Sequence, residues 1–380
     1  MKKMPVVFFS LIFLFASMTL APAAEKPVEE MTGEELFKKI FGSLTIHGKS
    51  IGYYQYISGG DIAGTDYGDQ NTAGMMGELM LSFRPVEDGS LKVKLKYTQN
   101  GEDSEGFFSH ALFSTLNESL TLSHNKEFRV QKFYYTHDFF DDLLFVAVGK
   151  NDAESFIDLN KYANDDVDQF MAQIFNNNPF LDSEIPYSPL LAVGVRPGDD
   201  IEIVGVVQSI GWTALTASEQ KDDWEDLFSH PFYGAQVAYS PEIGGREGNY
   251  RLYGWNFSYE APGVDESGTG QRWGIGISID QEVSDEAGVF VRAGYQNKKV
   301  YVAPWLVSGG ASIDGIIPGR EHDTLGLGAG ALFANKDTGQ SGAETYLESY
   351  YRIKLSKYLA VSPDLQLVLN PRGDSSNDSV

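Results

Sequence analysis

The chain has 380 residues, with 53 Asp and Glu against 29 Lys and Arg, for a net charge of -24. That acidity argues against a nucleic-acid partner, which needs a basic face, and the absence of cysteine excludes disulfides, thiolate metal sites and thiol nucleophiles. Aromatic residues make up 13%, there are 40 glycines, and mean hydropathy is slightly negative, a mixture that suits a transmembrane β-barrel or a large soluble β protein.

Residues 1–24 read as a secretory signal peptide. Lys2 and Lys3 precede an apolar run from Val6 to Leu20, and Ala21, Pro22 and Ala23 give a small-x-small cleavage pattern. Residues 25–43 read as a short leader helix on the periplasmic side, with Thr32 and Glu35 as a capping box and Gly42 as a stop. No later stretch is apolar enough for a membrane helix.

From Leu44 to the end the period is two. Strands are expected near 44–57, 74–84, 91–99, 128–137, 143–149, 189–195, 201–209 and 232–239. More follow near 250–260, 272–281, 288–296, 300–308, 324–333, 344–355 and 359–369. The phase of 128–137 and of 201–209 is ambiguous. In "SLKVKLKYTQN", Leu91, Val93, Leu95 and Tyr97 alternate with Lys92, Lys94 and Lys96. Alternate strand side chains point to opposite faces, so the lysines face water if the apolar side meets lipid. The same reasoning turns Glu344, Glu348, Arg352 and Lys354 inward and Leu347, Tyr351, Ile353 and Leu355 outward. Glu78, Arg84, Arg272, Asp280 and Arg292 are further inward candidates. A charge facing lipid at mid-membrane costs about 2–4 kcal/mol, so the phase is constrained wherever it is clear.

Connections alternate between short turns and long loops, with long loops near 58–73, 100–127, 150–188, 210–231, 261–271 and 334–343 and a short exception near Gln296–Lys299. This is the pattern of an outer-membrane barrel, with turns on one rim and loops on the other. The expected fold is therefore all-β, a transmembrane antiparallel barrel over residues 44–380. Fifteen strands are visible, and single-chain barrels of this kind have an even number, so a sixteenth, closing strand is expected to be missing beyond Val380.

The excess acid lies in loops. "DLNKYANDDVD" is rich in oxygen ligands, but it lacks the EF-hand spacing and turn glycine. A solvated loop is expected there rather than a metal site. Six scattered histidines and the absence of HExxH, G-x-S-x-G and Walker A motifs argue against an enzyme, and no cofactor is implied.

The segment from Phe133 to Met171 resembles the carbohydrate-selective porins, the OprB-like family, through Gly149-Lys150-Asn151-Asp152 and then Asp158, Tyr162, Gln169 and Phe170. Gly319, Arg320 and Asp323 resemble that family's Gly-Arg-x-x-Asp turn. Glu344, Glu348, Tyr351, Pro363, Asp364, Gln366, Asn370 and Pro371 resemble its C-terminal segment. The resemblance covers residue 128 to the end. It implies a sixteen-stranded barrel in an outer membrane and a loop folded inward over 150–187. It also implies passive diffusion of monosaccharides and small carbohydrates, with a weakly selective general porin as the alternative. Lys150, Asp152, Phe156, Tyr162 and Lys94 are the candidate constriction residues. The implied partners are carbohydrate solutes and membrane lipid, and whether the barrel forms a homo-oligomer stays open.

Overall fold

The computed structural model describes residues 32, 43–100, 112–116, 127–182, 187–210 and 231–380. The expected signal peptide and nearly all of the leader helix lie outside the described residues. The rest folds as one 17-stranded antiparallel sheet, plus a small hairpin of Gly60–Ile62 and Thr65–Tyr67. Two of the seventeen are short, Glu242–Ile243 and Leu359–Val361, leaving fifteen long strands. These are β1 (Leu44–Ile57), β2 (Gln70–Val86), β3 (Gly89–Asn100), β4 (Glu127–Phe139) and β5 (Leu144–Asn151), followed by β6 (Ser188–Gly198), β7 (Ile201–Ser209), β8 (Pro231–Tyr239), β9 (Arg246–Pro262) and β10 (Thr269–Glu282). The last five are β11 (Ala287–Gln296), β12 (Trp305–Asp314), β13 (Thr324–Phe333), β14 (Ala343–Ser356) and β15 (Asp364–Leu369).

Each long strand pairs with the next in sequence, from β1–β2 to β14–β15. The sheet curls on itself around the segment 152–182, which touches side chains from β1, β4, β8, β10, β11 and β14. The barrel is not closed. Across the seam between the first and last strands, Gln55 Nε2 donates to Gln366 Oε1 at 3.4 Å, and the Asp378 amide donates to Asp61 O at 2.9 Å. Residues 371–380 form turns rather than a strand, and Val380 exchanges backbone hydrogen bonds with Val368 at 2.6 and 3.1 Å.

The two faces of the sheet differ sharply. Leu252, Ile275 and Leu327 are 59%, 52% and 45% exposed on the outer face, whereas Arg272, Ser278, Asp280, Arg292, Glu344 and Glu348 are buried on the inner one. A soluble protein would show the opposite arrangement.

Three strands depart from the expected boundaries or phase. The strand expected at 300–308 begins at Trp305 and runs on through Gly309, Gly310, Ala311 and Ser312, small residues that carry little alternation. Residues 297–304 instead form a connection in which the Val300 and Tyr301 amides donate to Asn297 O, so the short exception disappears. The strand expected at 359–369 is interrupted at Pro363, which has no N–H to give to the ladder. In β4 the ambiguous phase is a β-bulge. Lys94 pairs with Lys132 but Leu95 pairs with Val130, leaving Gln131 as an extra residue. Phe128 and Val130 are exposed before the bulge, and Phe133 after it.

Candidate functional site

Segment 152–182 enters the interior at a glycine that cannot be replaced without strain. Gly149 has φ 143°, and a Cβ there would stand 2.3 Å from Phe133 O. Asp152 then caps a short 3₁₀ turn, Ala153–Ser155, accepting from the Ser155 amide at 2.8 Å. Its carboxylate also pairs with Lys132 on β4 at 3.1 Å. Phe156 stacks on Phe145 with ring centroids 6.4 Å apart.

Asp158 and Arg292 form the deepest anchor. Both are fully buried, 3.0 Å apart. Arg292 Nε donates to Asp158 Oδ1. Its Nη1 donates to Ala163 O and Phe175 O, and its Nη2 to Asp158 O and Asn164 Oδ1. All five guanidinium donors are therefore used inside the loop. Asp158 also accepts from the Asn178 amide at 2.6 Å, and its own amide donates to Gln236 at 2.9 Å. Asp158 has φ 61°, a conformation Asp tolerates better than most residues.

Further along, Asn160 donates to Ser278 Oγ at 3.2 Å, and the Lys161 amide donates to Asp280 at 3.2 Å. Gln169 ties the turn together, accepting from the amides of Asn164 and Asp165 and donating to Lys161 O. The Met171 and Ala172 amides donate to the two oxygens of Glu348, at 2.5 and 3.0 Å. Phe170 meets Phe175, Phe290 and Tyr350 at 5.0, 5.3 and 5.0 Å. The inner-face glycines make room for this packing. A Cβ on Gly288 would lie 1.9 Å from the Tyr162 ring, and one on Gly328 would lie 2.9 Å from Phe170 and Phe175.

The loop therefore covers the inner wall formed by β8–β14 and presents Asp165 and Asp168 at its edge. Lys49 of β1 reaches both, at 3.3 and 3.2 Å, and Arg352 of β14 reaches Asp168 at 3.0 Å. The wall of β2–β4 carries the cations. Lys94 and Lys96 lie 2.8 and 3.7 Å from Glu78. The Lys92 ammonium lies over the Tyr134 ring at 5.8 Å, and Lys132 and Arg129 lie over Tyr187 at 5.4 and 6.0 Å.

The sequence-derived candidates are distributed as follows. Lys94 is on the inner face, while Asp152, Phe156 and Tyr162 hold the inward loop against the wall. Lys150, expected at the constriction, instead sits opposite the exposed Phe133 in the ladder, on the outer strand face it shares with Val146 and Val148, because strict alternation turns it away from the inner-face residues Ala147 and Asn151. Lys92 and Lys96 face inward. Arg292 and Glu348 are inward but covered by the loop. Glu344 is inward and accepts from the amides of Phe113 and Arg372, at 2.7 and 2.5 Å. Arg352 holds Asp168, and Lys354 is exposed toward the short-turn end. Sequence reading passed over Lys49, Arg129, Lys132, Tyr134 and Tyr187. Lys49 alternates within "HGKSIGYYQY" and could have been placed. Lys132 could not, because the bulge sets its phase.

The loop carboxyls Asp152 and Asp165 are both held below their usual range. Burial pushes each upward. It is outweighed for Asp152 by Lys132 and Ser155, and for Asp165 by Lys49 and the amides of Asp168 and Val167. A depressed folded value means that the stabilisation is complete above the unfolded value of about 3.9 and is lost as pH falls through the folded value. The hold of Lys132 on Asp152 and of Lys49 on Asp165 should therefore be constant from pH 8 to 5, so the extra single-channel noise caused by Lys49→Gln should be the same across that range and vanish only below about pH 3.9. An effect of Lys49→Gln that disappears near neutrality would contradict this.

A family model described as "Carbohydrate-selective porin, OprB family" matches residues 66–380. An uncharacterized protein of Aquifex aeolicus (strain VF5) is 28% identical over 224 residues, which is 59% of this chain and 59% of that protein. The chain thus aligns with 59% of the length of that curated relative. The high-pH structure of Pseudomonas putida OprB has the same fold, with TM-score 0.76 and 15% identity, covering 91% of this chain and 93% of that one. The outer-membrane channel DcaP of Acinetobacter baumannii gives TM-score 0.53 and 14% identity, covering 88% and 93%. With the match running over most of its length, the chain belongs to the OprB family of carbohydrate-selective porins.

Proposed function

We propose that the chain is a passive channel of a bacterial outer membrane, through which monosaccharides and other small carbohydrates diffuse down their gradients. The observation that carries this reading is the inward loop. It is anchored by Arg292 and Glu348 inside a sheet whose outer face is apolar, and it packs Phe170, Ile174 and Phe175 against the β8–β14 side, so it narrows the interior from that side and leaves the charged wall of β2–β4 opposite. The remaining inner wall offers what a sugar needs, with ammonium and carboxylate groups for hydroxyls and the rings of Tyr134 and Tyr187 for the ring face. The signal-peptide pattern of residues 1–24 fits export to that membrane. The test is swelling of liposomes containing the full chain, in glucose against an amino acid of similar size. Faster swelling in glucose supports the sugar channel. Equal rates favour a general, weakly selective porin, and absence of single-channel current rejects a pore.

A further inference from the structure

Within that proposed pathway one strip of wall is built unlike the rest. Strands β3 and β4 turn Lys92, Lys94, Lys96, Arg129 and Lys132 to the same face. In the ladder Lys94 lies directly opposite Lys132, and Lys96 directly opposite Arg129. Like charges directly opposite one another destabilise a sheet, and here two such pairs are stacked one above the other. Glu78 meets Lys94 and Lys96, Asp152 meets Lys132, and the Asp166 carboxylate also acts on Lys96. Three carboxylates against five cations temper the repulsion but leave the strip cationic in a chain of net charge -24.

The Lys94–Lys132 pair exists because of the bulge. Val130 is on the outer face opposite Leu95, so strict alternation would put Lys132 outside as well. The extra residue Gln131 re-aims Lys132 inward, a use to which bulges beside functional sites are often put. Gln131 is itself buried, and its amide oxygen has no hydrogen-bond partner. Two tyrosine rings flank the cations, Tyr134 under Lys92 and Tyr187 beside Lys132 and Arg129.

We infer that this strip is a binding step for monosaccharides bearing a carboxylate, such as uronates. The carboxylate relieves the opposed cations while the sugar ring lies on a tyrosine face. This deepens the proposed function and rests on it: the solute class is narrowed from neutral sugars to acidic ones. A lumen strip of one sign concentrates counter-charged solutes, and the effect weakens as salt screens it.

The experiment measures efflux of glucuronate, glucose and glucosamine from proteoliposomes containing the full chain, with the membrane potential held at zero by potassium and valinomycin. The expected order is glucuronate, then glucose, then glucosamine, with glucuronate faster than glucose by roughly tenfold at low ionic strength and less at high salt. In Lys94→Gln and Lys132→Gln, each checked for barrel assembly by its heat-modifiable gel mobility, the glucuronate-to-glucose ratio falls toward unity. If glucose passes and glucuronate is no faster in the wild-type chain, this inference fails while the sugar channel stands. If no sugar passes although potassium chloride carries current, both fail. An unchanged ratio in both assembled variants also overturns the assignment to this strip.

Discussion

Arg292→Ala should open the channel and weaken it. The substitution leaves Asp158 buried without its counter-charge and strips hydrogen bonds from the carbonyls of Ala163 and Phe175. Breaking a buried pair by removing one partner costs about 3–5 kcal/mol. That loss falls on the loop rather than on the ladders, because the guanidinium donates to Asp158, Ala163, Asn164 and Phe175, all within residues 158–175. The barrel should therefore still assemble. Its single-channel conductance should rise and become noisy as the loop leaves the wall, and discrimination among sugars should fall. Glu348→Ala acts on the same loop from β14 by orphaning the amides of Met171 and Ala172, at about 1–3 kcal/mol for each unsatisfied donor. Two anchors of one loop are coupled, so their effects on conductance should not add. If Arg292→Ala leaves both conductance and thermal unfolding unchanged, the loop is not held as described.

The sequence made the barrel legible for a simple reason. A strand with lipid on one side and water on the other has to alternate, and "RWGIGISID" and "TLGLGAGALF" do so without interruption. Where alternation fails, so did the reading. Gly309 and Gly310 carry no hydropathy signal, and the bulge at Gln131 reverses a phase that no local rule reveals. The interior was less legible than the wall. Sequence placed Arg292, Glu344 and Glu348 on the inner face, but it could not say what would stand over them. That depends on contacts such as Arg292 with Asp158, which are 134 residues apart. Glycine was the overlooked clue. Gly288 and Gly328 look like mere gaps in an alternating pattern, yet they are the hollows that receive Tyr162, Phe170 and Phe175.

Replacing Lys92, Lys94 and Lys96 together by Glu should reverse the channel's ionic preference. The three ammonium groups stand on the inner face of β3, with Glu78 on the neighbouring strand as the acid that meets two of them. After substitution, Glu78 faces new carboxylates, and the strip that attracted anions repels them. Under a potassium chloride gradient the reversal potential should move toward the potassium limit, and the shift should shrink at high salt, because the Debye length falls from about 10 Å at 0.1 M to about 3 Å at 1 M. Assembly should survive. The outer-face residues Leu91, Val93, Leu95 and Tyr97 are untouched, and Lys132 and Arg129 stand directly opposite positions 94 and 96 as counter-charges for the new carboxylates. The opposing outcome is equally clear. If the lysines faced lipid, three glutamates there would each carry a membrane penalty and the barrel would fail to insert. Loss of assembly, or an unmoved reversal potential in a barrel that does assemble, would remove these residues from the solute path.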